Sequence, residues 1–165
     1  MVRFVKSSND IIEPIHANFD DVVTKMVMPH KRTPETLRAI HTGNFKSILD
    51  FDVECYVLNN RAKTAVISQQ GLQWLFDEET LSKCVGSDTM KRLYQPITFE
   101  GESGLPKFGY DAEVLADVCL SIINPKHGSR ETLAVQRAFA ILRLAAKIGI
   151  TKVIYKACKY QKTLK

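Results

Sequence analysis

A chain of 165 residues, 45% hydrophobic and 25% charged with 8 Gly and 6 Pro, matches a self-supporting domain that can bury about two thirds of its unfolded surface without a disulfide or metal. No stretch approaches the roughly 20 apolar residues of a membrane span, and Met1-Val-Arg-Phe-Val-Lys6 lacks the features of a secretory signal; a cytoplasmic protein with Cys55, Cys84, Cys119 and Cys158 as reduced thiols is expected. Net charge is +5, yet from Lys126 onward ten Lys or Arg face one acid, Glu131, so this segment is +9 and residues 1–125 sum to −4, which points to an anionic partner or else to a solvated helix face.

Residues 1–16 alternate weakly and end near Pro14, as a strand or ordered arm would. Asn18 or Asp20 caps a short helix over 19–28, with Asp20 and Asp21 in its first turn. A basic loop at 30–34 follows, and Thr33-Pro34 opens a helix to about His41 with Gly43 as its C-terminal cap. Residues 48–58 and 64–68 are expected as two strands joined at Asn59-Asn60-Arg61, where Asn tolerates a left-handed turn. Ser68 caps a helix over 69–76 with Leu72, Leu75 and Phe76 inward. A second helix covers about 77–85, and a short turn near Asp88 holds Met90 and Leu93. Strands at 97–100 and 107–110 flank the turn of Gly101 and Gly104. Asp111 caps a helix over 112–123 with Val114, Leu115, Val118 and Ile122 on one face. Ser129 caps the longest helix, 130–148, with Leu133, Phe139, Ile141, Leu142 and Ala145 as its apolar positions; Gly149 ends it. Thr151 opens a last helix over about 152–160.

Most enzymatic chemistry finds no motif here. Metal ligands cluster at short spacings, whereas His16, His30, His41 and His127 are far apart and none lies within four residues of a cysteine. No glycine-rich phosphate loop is present; Gly101-Glu-Ser-Gly104 sits between two expected strands and carries an acid that repels phosphate. The serine-hydrolase elbow is absent. Asp77-Glu78-Glu79 is explained by a helix dipole, and Asp111 by capping. Cys158, between Lys156 and Lys159, has the one basic thiol setting, although its place on the apolar side of the last helix argues for packing. No catalytic residue, metal site or cofactor is assigned.

The basic positions carry the positive signal. Lys152, Lys156 and Lys159 line one face of the last helix, opposite Ile150, Val153, Ile154 and Ala157. Lys162 and Lys165 extend the charge, Arg143 and Lys147 add a turn of basic face on the preceding helix, and Tyr155 and Tyr160 are placed to stack on bases. Phosphates reward such a surface by counterion release. Arg61 and Lys63 at the first hairpin tip form a smaller patch, like a wing touching a phosphate backbone. A basic last turn also complements the helix dipole without any ligand.

Several phrases in order resemble a phage and prophage family, the P-sixty-three-C-type proteins. They are Gly43-Asn-Phe through Asp52-Val-Glu-Cys-Tyr-Val-Leu58, Val66-Ile-Ser-Gln-Gln-Gly-Leu72, Leu105-Pro-Lys-Phe-Gly-Tyr-Asp-Ala112 with Leu115-Ala-Asp-Val-Cys119, and Gln136 to Ile150 followed by Tyr160-Gln161. The resemblance covers residues 35–161 and implies a strand–strand–helix style shared with antirepressor and Bro-like modules of mobile elements. It carries no catalytic residues. Family members place an acidic, glycine-containing phrase before the final Tyr-Gln, where this sequence has Ile154-Tyr-Lys-Ala-Cys-Lys-Tyr-Gln161. They also continue into a Trp-rich C-terminal region, whereas this sequence ends at Lys165, so that region's roles are not carried over.

The expected fold is therefore α+β: a small antiparallel sheet of two hairpins packed against a helical layer, with the helix from Arg130 at its centre. It forms one domain over 1–165, with 1–34 as an N-terminal extension and 35–161 as the family-like core. The expected function is that of a non-enzymatic phage- or prophage-derived accessory protein, a regulator binding DNA or RNA in the bacterial cytoplasm. The interface would comprise Arg143, Lys147, Lys152, Lys156, Lys159 and Lys162 with Arg61 and Lys63. The alternative is a protein–protein module that inhibits an acidic host enzyme or defence protein through the same surface.

Overall fold

The computed structural model describes residues 36–124 and 132–162, which belong to one unit, Thr36–Lys165. The expectations for residues 1–34, His127, the Ser129 cap, Arg130 and Lys165 lie outside the described residues.

Five strands form one antiparallel sheet: β1 (Ala39–Asn44), β2 (Glu54–Leu58), β3 (Ala65–Ser68), β4 (Ile97–Glu100) and β5 (Pro106–Asp111), in the order β1-β2-β3-β5-β4. Seven helices accompany it among the described residues: α1 (Lys46–Leu49), α2 (Gln69–Leu75), α3 (Glu78–Cys84), α4 (Ser87–Leu93), α5 (Ala112–Ile122), α6 (Leu133–Ile148) and α7 (Ile150–Ala157). The α+β class and both hairpins, β2–β3 and β4–β5, are as the sequence predicts. Period-two alternation divides β2 and β3 between two cores. Cys55, Val57, Ala65 and Ile67 face the helices; Tyr56, Leu58 and Val66 join Phe99 on the other side, with Leu37, Ala39 and Ile97 packed around them.

That second cluster exists because the sheet curls. The segment before β1 returns to the far edge, where Glu100 N–H donates to the Leu37 carbonyl at 2.8 Å. The Arg38 guanidinium meets the Glu100 carboxylate at 2.7 Å, and Arg38 and Glu100 form a parallel bridge. Closing one edge on the other removes exposed strand backbone.

Three local expectations are corrected. The helix expected from Pro34 to His41 gives way to β1, and Gly43 is not a helix cap. A Cβ at Gly43 would lie 2.4 Å from the Ala157 carbonyl oxygen, so glycine lets β1 approach the end of α7. The strand expected from Ile48 begins only at Glu54, because α1 and a left-handed Asp50 (φ 61°) come first. Asn44 staples that loop: its side-chain oxygen accepts from Lys46 N–H at 2.8 Å and Val53 N–H at 3.2 Å.

The expected caps at Ser68 and Asp111 are present, accepting from Gly71 N–H and Val114 N–H. Gly149 ends α6 with φ 86°. The start of α6 differs: Thr132 is the cap and Leu133 the first helical residue. Leu133 and Phe139, expected inward, are 60% and 56% exposed, and the buried positions are Ala134, Ala138 and Ile141. The reason is placement. Helix α6 packs chiefly on α5 and α7 as an outer element, whereas α2, α5 and α7 contact the sheet.

Candidate nucleic-acid interface

Helix α7 presents two unlike faces. Val153, Ile154 and Ala157 are buried against the sheet, as their spacing predicts, while Lys152 and Lys156 are exposed. Gly149 N–H donates to Ala145 O at 2.6 Å, and its carbonyl accepts from Val153 N–H at 3.1 Å, so this one glycine joins α6 to α7.

The helix closes in a Schellman turn. Lys159 N–H donates to Lys156 O at 3.1 Å and Tyr160 N–H to Tyr155 O at 2.8 Å. Lys159 occupies the left-handed position, φ 53°, where glycine is the usual residue. The apolar contact that accompanies this motif is aromatic: the Tyr155 and Tyr160 rings lie 4.9 Å apart, edge to face. The His41 ring of β1 packs 5.1 Å from Tyr160 on another side.

Lys152, Lys156, Lys159 and Lys162 line one groove of roughly 840 Å³, with Ile148, Tyr155, Tyr160 and Gln161 as its other walls. The Tyr155 hydroxyl donates to the Lys63 carbonyl at 2.8 Å, tying the β2–β3 tip to the last helix. Burial, then the neighbouring Tyr160, pushes the Tyr155 pKa up; it stays a neutral donor.

The expected basic residues therefore fall into three places. Four lysines share the groove. Lys63 lines an adjoining depression with Tyr155, Asp111 and Glu113, and its ammonium donates to the Asn59 carbonyl at 3.3 Å. Arg61 is exposed beside it. Arg143 lines a separate apolar groove with Ile123, Val135, Phe139 and Leu142, and Lys147 is exposed on α6.

The hairpin tip also differs from expectation. Its left-handed residue is Lys63, φ 54°, rather than an asparagine. The asparagines work through their side chains: Asn60 accepts from Thr64 N–H at 2.9 Å, and Asn59 accepts from Arg38 N–H at 2.9 Å.

Electrostatically the molecule is divided. Arg38, Lys83, Lys91, Arg92 and Lys107 all pair with carboxylates. Among the described residues no carboxylate pairs with the four groove lysines, Arg61, Lys63, Arg143 or Lys147. From Thr132 to Lys162 the sequence contains no Asp or Glu at all.

The acids that do converge surround a cation. Arg92 meets Asp117 at 2.9 Å, Asp111 at 3.4 Å and Glu113 at 3.9 Å. Among the described residues no three His, Cys, Asp or Glu side chains gather to hold a metal, and no helix is long and apolar enough to cross a membrane. Cys158 is buried, its sulfur 3.7 Å from that of Cys55; the hydrogen bond between the two thiols, together with burial, raises the Cys55 pKa.

His41 and Gln161 were not anticipated at this site. No local signal marks them, since His41 reaches Tyr160 only through the packing of β1 on α7.

Comparison of the chain with protein-family models, with curated proteins and with solved structures finds no match.

Proposed function

We propose that this protein binds nucleic acid without transforming it, through the lysine-lined face of α7, as a phage- or prophage-derived accessory protein in the cytoplasm of its bacterial host. The observation that carries this reading is the set of four lysines around one groove, with no carboxylate among the described residues to neutralise them. Unpaired cations on the helix and on the turn that closes it retain their full attraction for phosphate and release counterions when they bind it. The left-handed backbone of Lys159 adds support. A lysine held where glycine costs less is the kind of local strain associated with function. The mobile-element setting rests on the ordered phrases between residues 35 and 161.

The test is binding of labelled short DNA and RNA to the full chain at two salt concentrations. Affinity that falls with salt, and falls again in a Lys152→Ala/Lys156→Ala double variant, supports the reading. Binding no stronger than that of an acidic control protein refutes it.

A second reading, a protein-binding inhibitor of a host enzyme, has its own observation. Phe139 is exposed beside the apolar groove of Arg143, and Leu133 is exposed on the same helix. Co-purification from a bacterial lysate separates the two, because a partner retained after nuclease treatment favours the second.

A further inference from the structure

Charge alone does not account for the groove at the end of α7. The four lysines share one concavity with two tyrosines, Ile148 and Gln161, so the surface offers aromatic as well as cationic groups. Its volume, roughly 840 Å³, lies within the range of pockets that enclose an organic group, about 300–1,000 Å³. The aromatic wall is fixed. Tyr155 is anchored by its hydroxyl to Lys63, and Tyr160 is held by the Schellman turn between Tyr155 and His41.

A base inside a duplex exposes only its edges, so an aromatic wall in a basic groove has no use for one. An unpaired base offers its face, and stacking on aromatic side chains with lysines along the backbone is how single strands are held. We infer that this groove takes an unpaired nucleotide of single-stranded DNA or RNA, its base against the Tyr155–Tyr160 wall and its flanking phosphates on Lys152, Lys156, Lys159 and Lys162. Gln161, which lines the same groove, carries both a donor and an acceptor for a base edge. The inference rests on the nucleic-acid reading and narrows it to single strands.

The experiment measures anisotropy of labelled oligothymidylate, oligouridylate, an abasic strand of equal length and a duplex, with the full chain at one salt concentration. The two pyrimidine strands are expected to bind about tenfold or more tighter than the abasic strand, which has the same phosphates and no bases, and tighter than the duplex. Preference for one of the two strands identifies DNA or RNA as the natural ligand. Tyr160→Leu is expected to abolish the preference for bases while leaving abasic binding in place, and Tyr160→Phe to retain it. Far-UV circular dichroism reports that each variant is folded. Equal affinity for abasic and base-bearing strands, or tighter duplex binding, overturns the single-strand inference and leaves the nucleic-acid reading standing. Failure of every strand to bind overturns both.

Discussion

Lys159 and Lys63 hold backbone conformations that an L-residue enters at a cost of about 1–3 kcal/mol. At Lys159 the Schellman turn demands the conformation, and glycine would adopt it freely. Lys159→Gly is therefore expected to raise stability by roughly 1 kcal/mol in urea unfolding while weakening nucleic-acid binding. Lys159→Ala removes the same charge and keeps the strain, so it should lose affinity with no gain in stability. If both variants bind like the parent, Lys159 is not part of the interface. Cys119 supplies a second test. Burial pushes its thiol from 9.0 up to about 12. A raised folded pKa means the unfolded chain ionises first, so the contribution is complete below pH 9 and is lost as pH rises toward 12. Unfolding free energy should decline through that window, and Cys119→Ala, though less stable overall, should decline less steeply.

Within the elements, short phrases of this sequence carry structural tasks. In Gly109-Tyr-Asp-Ala112 each residue has a structural task. A Cβ at Gly109 would stand 2.5 Å from the Ile67 carbonyl oxygen across the sheet. The Tyr110 hydroxyl donates to Leu93 O at 2.8 Å, holding the end of α4. Asp111 caps α5 and faces Arg92, and Ala112 is buried. Asp111→Ala should cost about 1 kcal/mol through the lost cap, with little more from the half-exposed ion pair; Asp111→Asn should restore most of it. Ser68-Gln-Gln-Gly71 behaves alike, with Ser68 Oγ accepting from Gly71 N–H at 2.9 Å. Gly43 is the sharpest case. The atoms facing it are the backbone of α7, which cannot rotate aside, so Gly43→Ala is expected to lower the urea midpoint by the equivalent of about 2 kcal/mol.

Across the whole molecule, negative charge lies before residue 132 and the described chain beyond it is purely basic. If the four groove lysines each neutralise one phosphate of a single strand, the slope of log K against log salt should be about −3. A slope near zero would mean that the lysines serve only solubility. The sequence by itself determined the features whose causes are local. The caps at Ser68 and Asp111, the alternation of β2 and β3, the end of α6 at Gly149 and the two faces of α7 all follow from hydrogen bonds within four residues or from hydrophobic period. The basic stripe of the candidate interface was legible for the same reason. Only the tertiary structure decided that residues 39–44 pair as a strand, that α6 lies outside α5 and α7, and that Leu133 and Phe139 face outward. The two tyrosines beside the lysines were legible in the sequence, but the structure alone showed what fixes them, a hydrogen bond from Tyr155 to a residue 92 positions earlier and a ring contact between His41 and Tyr160. Such contacts link segments far apart in the chain, and no periodicity or propensity within a short window carries information about which distant segment will pack against it.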